Sequence, residues 1–376
     1  MTIAEKLQAI ANNVQTIYDA GYEAGSANGG GGGSEYEDAL VTRTLTEYTN
    51  SRVNSIGSNA FQSCLSLTTV NFPAVTTIGT SAFQNCSALT TASFPSVTSI
   101  GNYAFSNCTS LTTVNFPSVT SIGNYAFSNC TSLTSVSFPV ATIIGSAAFY
   151  RCTSLTSVNF PAVTSIGSHA FNNCTSLTSV SFPVATSIDN YAFSNCTSLT
   201  TVNFPVATTI SFSAFNNCTS LTTVNFPVAT FIASNAFYKC TSLTSVSFPV
   251  ATTISYGAFS NCTSLTSVNF PSVTSIGNYA FSNCTSLTTA SFPAVTSIAI
   301  YAFRSCYKLS QLYLTGSSIC TLTNSNTFSS TPYAGYSTYF SGTPYIYVPG
   351  SLLASYQAAT NWTYFSKYFS AAEDAT

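Results

Sequence analysis

The chain has 376 residues with 8 basic and 10 acidic side chains, giving a formal net charge of −2. Between Val53 and Phe303 the charged side chains are Arg151, Asp189 and Lys239 alone. No basic stripe exists to neutralise phosphates, which excludes nucleic acid and electrostatic attachment to anionic lipid. Ser, Thr and Asn break every apolar run short of the ~20 residues of a membrane-spanning helix, so no membrane insertion is expected.

Thr2-Ile3-Ala4-Glu5 reads as a capping box, and Ile3, Leu7, Ile10, Val14 and Ile17 follow at spacings of 4, 3, 4 and 3. This predicts an amphipathic helix within residues 1–28, with Leu and Val at a and Ile at d, which leans toward trimers or tetramers. Two uses are open. The helix either holds a homo-oligomer, with a trimer favoured, or docks on another protein, since fewer than three heptads hold an oligomer weakly. The stretch M-T-I-A-E-K-L-Q-A-I-A-N-N-V-Q-T-I-Y-D-A-G resembles N-terminal segments of proteins from tail regions of phages and prophages of gut Firmicutes. That resemblance implies a virion component held through this helix. Glu5 and Lys6 break the apolar run a secretory signal would need, so export on a particle or by lysis is expected. Residues 29–34 are five glycines and a serine. They lack the Lys-Ser/Thr of a phosphate-binding loop and read as a flexible linker.

Residues 35–63 open acidic and then follow a degenerate pattern. Leu45, Val53, Ile56, Gly57, Ala60 and Phe61 keep its apolar and glycine positions, while Asn50 and Ser51 stand where later copies have Phe-Pro. This is the expected N-terminal cap. Residues 64–305 are eleven copies of one 22-residue unit; the plainest begins at Cys262 and reads C-T-S-L-T-S-V-N-F-P-S-V-T-S-I-G-N-Y-A-F-S-N. Such a period marks a solenoid of stacked coils. Leu265, Val268 and Phe270 alternate with Ser267 and Asn269, as in a short strand with one buried face. Pro271 suits a strand end. Val273 and Ile276 point a second extended piece inward, Gly277 allows a turn, and Ala280-Phe281 are expected to form a helical turn or 3₁₀ segment. One coil cannot fold alone, because ordering its backbone costs more than its six large apolar side chains return. Stacking on neighbouring coils must supply the difference.

The pattern L-x-x-V-x-F-P…I-G-x-x-A-F-x-x-C resembles the leucine-rich repeats of the BspA-like family, found in bacterial and protist surface proteins and in phage-borne genes. The resemblance covers residues 42–328 and implies a mainly β solenoid of parallel strands that recognises other molecules. That family more often has 23 residues per copy, so the shorter turn here is expected to alter curvature without altering architecture.

Twelve cysteines keep the 22-residue step from Cys64 to Cys306. Equivalent residues of stacked coils lie ~4.8 Å apart with parallel side chains. A disulfide wants Cβ atoms roughly 3.5–4.5 Å apart, and a straight thiol row cannot converge on zinc. The cysteines are therefore expected to act as small buried apolar groups, with neither metal nor other cofactor; Cys320 breaks the period and is left open. Residues 306–376 form the C-terminal cap, with a strand at Tyr345-Ile346-Tyr347-Val348 and a helix over 351–360, ending near Trp362. This part resembles C-terminal modules that follow such repeats in phage and Firmicutes proteins. Its aromatic residues either fill a core or hold an aromatic ligand.

Variation between copies gathers at the turn after Ile and just before Cys. That ridge carries Tyr103, Tyr125, Tyr150, Arg151, Tyr191, Phe212, Tyr238, Lys239, Tyr256, Tyr279 and Tyr301, the candidate ligand-binding residues. Tyr and Arg dominate binding hot spots. The alternative is that the rings lie against neighbouring coils and shield the core. His169 and Asp189 fall one coil apart, but no nucleophile elbow or oxyanion motif accompanies them, so no enzyme is expected. The sequence thus points to non-enzymatic recognition. The favoured form is a phage or prophage tail receptor-binding protein contacting a host surface protein or glycan, in the virion or outside a cell. A BspA-like cell-surface adhesin and a purely structural spacer are the alternatives.

Overall fold

The computed structural model describes residues 46–335 and 342–374. The expected N-terminal helix with Ile3, Leu7, Ile10, Val14 and Ile17, the glycine linker and Leu45 lie outside the described residues.

Each coil contributes a three-residue strand and a two-residue strand, and equivalent strands pair parallel and in register, as in Ser267↔Thr289 and Ile276↔Ile298. The two-residue strands, Ser55–Ile56 through Thr321–Leu322, form one continuous 13-stranded sheet. The three-residue strands do not. Their ladder opens between Thr113–Asn115 and Ser135–Ser137 and then at every second coil boundary up to Ser267–Asn269. A third ladder replaces the expected helical turn. The N–H groups of Tyr279, Phe281 and Asn283 donate to the carbonyls of Ile300, Ala302 and Arg304 in the next coil, at 3.3, 2.8 and 2.8 Å. Tyr279 and Asn283 are left-handed, with φ of 58° and 60°. Alternating handedness turns every second N–H along the solenoid axis, whereas a helix would spend those donors within its own coil.

Two columns of phenylalanine fill the core. On the turn side, neighbouring rings such as Phe105, Phe127 and Phe149 stack at 5.2 and 5.3 Å. On the strand side the spacing runs from 5.3 Å at Phe94–Phe116 to 6.0 Å at Phe204–Phe226, so that column is the looser of the two.

The cysteines do more than fill space. Each thiol from Cys86 to Cys306 donates to the carbonyl of a phenylalanine 25 residues earlier, as Cys130 Sγ does to Phe105 O at 3.1 Å and Cys152 Sγ to Phe127 O at 3.2 Å. Burial pushes the thiols of Cys152, Cys196 and Cys240 up to about 12, which leaves no reactive thiolate at neutral pH. Threonine hydroxyls tie coils together in the same way; Thr112 Oγ1 donates to Thr90 O at 3.1 Å and Thr120 Oγ1 to Thr98 O at 3.1 Å. The inward place expected for Val273 is filled by Ala where the pair after proline is inverted. In those copies Val184, Val206, Val228 and Val250 face solvent while Ala185, Ala207, Ala229 and Ala251 are buried.

At the N-terminal edge, Tyr48 lies 5.3 Å from Phe61 and 5.4 Å from Phe72, so its ring fills the space left by Asn50. Asn50 Oδ1 instead accepts from the Arg52 N–H at 2.9 Å, holding the chain in a turn. At the other end the first part of the cap stacks as one more coil with a longer loop, pairing Gln311–Tyr313 with Thr289–Ser291 and placing Phe328 on Phe303 at 5.5 Å. Tyr345–Val348 and then Phe369–Ala371 extend the strand ladder. The expected helix is shorter, Leu353–Ala358, entered through a 3₁₀ turn at Gly350–Leu352. Cys320 is gripped there: its N–H donates to the Tyr356 hydroxyl at 2.8 Å and its carbonyl accepts from Trp362 Nε1 at 2.6 Å. Asn361 donates to Leu322 O at 2.8 Å. Backbone groups that a further coil would satisfy are met by side chains instead.

Candidate functional site

Two positions of the turn ladder are left-handed in coil after coil. The second is mostly Asn (Asn85, Asn107, Asn129, Asn173, Asn195), a residue that tolerates this backbone. The first carries Tyr103, Tyr125, Tyr191, Tyr279 and Tyr301, with φ between 57° and 59°. A left-handed L-residue other than Gly or Asn costs about 1–2 kcal/mol. Other coils place Asn59, Asn235 or Gly257 at the same point and avoid that cost. Ser81, Ala147, His169 and Ser213 bear it as the tyrosines do, so the position accepts many side chains and tyrosine is the commonest of them.

The candidate residues fall into separate groups. Tyr103 and Tyr125 stack at 4.9 Å with planes 4° apart, each 38% exposed. Tyr191 stacks on His169 at 4.7 Å and meets Phe212 edge-on at 5.2 Å. Tyr256, Tyr279 and Tyr301 form a third group at 5.6 and 5.1 Å, with Arg304 over the Tyr301 ring. Arg151 sits over Tyr150 at 5.2 Å and Lys239 over Tyr238 at 5.3 Å. The rings thus pack on each other along the ridge while keeping edges and end faces in water.

Between the first two groups the ridge is notched. Ala147 occupies the tyrosine position of its coil, and an open groove of about 630 Å³ begins there between Tyr125 and His169 and runs past Asn172, Asn173 and Tyr191 to Asn216. Ala147, His169 and the asparagines are not among the ridge residues that the sequence offers as binding candidates. Aligning the tyrosine column alone would have shown the gap. His169 Nδ1 accepts from Asn172 Nδ2 at 2.9 Å, and Asn172 Oδ1 in turn accepts from Asn173 Nδ2. The imidazole proton therefore resides on Nε2, and burial lowers the histidine's pKa below its ordinary value. Burial raises that of Asp189. With His169 engaged by Asn172 and Tyr191, the residues that sequence order placed near one another do not assemble as an acid–base pair. Among the described residues no group of His, Cys, Asp and Glu could hold a metal ion, and no helix is long and apolar enough to cross a membrane.

The exposed strand face has less to offer a ligand. The threonine row just before the strands is spent on neighbouring carbonyls, Asn159 and Asn203 donate to Ser137 and Ser181 across paired coils, and the strand positions themselves carry short Ser and Thr side chains with little area.

Parallel in-register strands, stacked phenylalanines and a 22-residue step define a leucine-rich-repeat solenoid. A model of the BspA-type leucine-rich repeat region matches residues 44–143, 120–231 and 230–343, and the chain belongs to that family. Among solved structures it is similar to a leucine-rich cell surface protein from Faecalibacterium prausnitzii, at 27% identity over 73% of this chain and 89% of that one, with a TM-score of 0.45. A leucine-rich repeat protein from Bacteroides ovatus is 30% identical over 69% of this chain and 82% of its own, with a TM-score of 0.44. The pneumococcal vaccine antigen PcpA is 17% identical over 87% and 78%, with a TM-score of 0.45. No curated protein sequence matches significantly. The matched family is a repeat scaffold, and no enzyme family is indicated.

Proposed function

We propose that the chain is a non-enzymatic recognition module that binds a host or neighbouring cell surface through its turn ridge. The observation that carries this is the set of exposed aromatic side chains along one ridge, with Tyr103, Tyr125, Phe212 and Tyr256 among them. Tyrosine supplies rigid amphipathic contact area at low entropic cost. Changing Tyr103 and Tyr125 together to Ser tests it. Serine occupies the same left-handed position at Ser81 and Ser213, so the fold accommodates it. The melting temperature is expected to stay within a few degrees while binding of the full chain to intact bacterial cells falls about ten-fold or more. A sharp drop in melting temperature with unchanged binding per folded molecule would make the ridge packing only.

The particular setting we favour is a phage or prophage tail, with residues 1–28 as the attachment or trimerisation helix, residues 29–34 as tether, and caps at 35–63 and 306–376 around the repeats. The resemblance of the N-terminal segment to tail-region proteins supports this. A bacterial surface adhesin is the second reading, favoured by the similar cell surface protein of Faecalibacterium prausnitzii. Light scattering should find a trimer or tetramer for the full chain and a monomer without residues 1–28. A monomer in both would leave the helix as a docking element for another protein.

A further inference from the structure

We propose that the notch at Ala147 is a subsite for one pyranose ring of an uncharged surface saccharide. This deepens the recognition reading of the ridge and rests on it. Both left-handed columns of the ridge change residue in this coil, as they also do at Asn235 and Lys239, but here a small side chain stands between two aromatic ones. Ala147 breaks the aromatic row between Tyr125 and His169, and Arg151 breaks the asparagine row between Asn129 and Asn173. Elsewhere the asparagine row bonds to itself, as from Asn129 to Asn107 at 2.9 Å and from Asn217 to Asn195 at 2.9 Å.

The missing ring leaves an opening of a definite size. Tyr125 stacks on Tyr103 with one face and His169 on Tyr191 with one face, so the opposite faces of both rings border the notch. They stand two coil steps apart, on the order of 10 Å. A ring seated midway lies about 5 Å from each, within the stacking range of aromatic faces. A pyranose presents C–H groups on its two faces and hydroxyls around its edge. The walls match the first and the floor the second: Asn173 carries an amide, which both donates and accepts, Tyr150 a hydroxyl, and His169 its Nε2–H. No Asp, Glu, Lys or Arg is among the lining residues, which suits an uncharged ring.

The test uses the full-length protein and the methyl glycosides of glucose, galactose and N-acetylglucosamine, each followed by saturation-transfer NMR up to the order of 10 mM. At least one glycoside is expected to receive saturation on its ring protons. Ala147→Tyr fills the notch with the side chain native to this column, so it should keep the wild-type melting temperature and weaken that glycoside about ten-fold or more. Ala147→Ser should bind like wild type. No binding of any of the three, or binding indifferent to Ala147→Tyr, overturns the assignment. So does an Ala147→Tyr variant that loses cell binding although no glycoside binds wild type, because a protein side chain then fills the notch. Failure of the broader reading is distinguishable. If Tyr103→Ser/Tyr125→Ser and Tyr279→Ser/Tyr301→Ser reduce cell binding while Ala147→Tyr does not, the ridge stands and the notch falls. If none of them reduces it, both fall.

Discussion

Phe127→Ala is expected to destabilise the protein by about 3–5 kcal/mol, and Phe127→Asp to disconnect the stack at that coil. The ring is fully buried, lies face to face with Phe105 and Phe149 at 5.2 and 5.3 Å, and meets the strand-side rings of Phe116 and Phe138 at 6.0 Å. Removing it leaves a cavity bounded by four aromatic faces, which cannot collapse because the hydrogen-bonded ladders on either side fix the coil spacing. A carboxylate there finds no partner in a column of phenylalanines. Stability in a solenoid is a sum of coil and interface contributions. Amide exchange should therefore quicken first in the coils flanking Phe127 and leave those around Phe259 and Phe281 protected. Uniform loss of protection along the whole chain would show a more global cooperativity than nearest-neighbour stacking allows.

Trp362→Ala should have a comparable cost, about 3–5 kcal/mol, but open the molecule from its C-terminal end. The indole is fully buried, donates to Cys320 O at 2.6 Å and packs on Phe328 at 6.0 Å and Tyr356 at 5.6 Å. Its loss removes volume and leaves a buried carbonyl without its donor, and the two penalties add. Since an uncapped coil exposes its ladder to water, protection should fade from Phe328 backward toward Phe281. Conservative Trp362→Phe should recover the packing and not the hydrogen bond, leaving a deficit of roughly 1–3 kcal/mol in the melting equilibrium.

Much of this architecture is written in the repeat. Buried Leu265, Phe270, Ile276 and Phe281 and exposed Ser267 and Asn269 follow from periodicity alone, because each sits where a two-residue alternation or a fixed column demands. What periodicity could not show is backbone handedness. Tyrosine at 279 gives no hint of a positive φ, so a helical turn looked natural where the chain instead makes a third ladder. The thiol hydrogen bonds were invisible for the same reason: spacing shows that a cysteine recurs, not which carbonyl lies beneath it. The inward valine failed where Val and Ala exchange places after proline, since both are apolar and only geometry decides which faces in. Of the candidate ridge, the tyrosine columns were legible as variation between copies. The notch was legible only as a gap in the tyrosine column at Ala147, because the absence of a side chain makes no motif of its own.

The claim that the ridge is the recognition face is tested most directly by placing lysines on the two faces and comparing binding. One variant carries Tyr103→Lys and Tyr279→Lys on the ridge, the other Ser157→Lys and Thr201→Lys on the exposed strand positions. Fluorescently labelled full-length proteins are then measured by flow cytometry on intact cells that bind the wild-type protein. The ridge variant should lose about ten-fold or more of wild-type binding and the strand variant should keep it. Loss in the strand variant with the ridge variant unaffected, or equal binding by all three, would contradict the account.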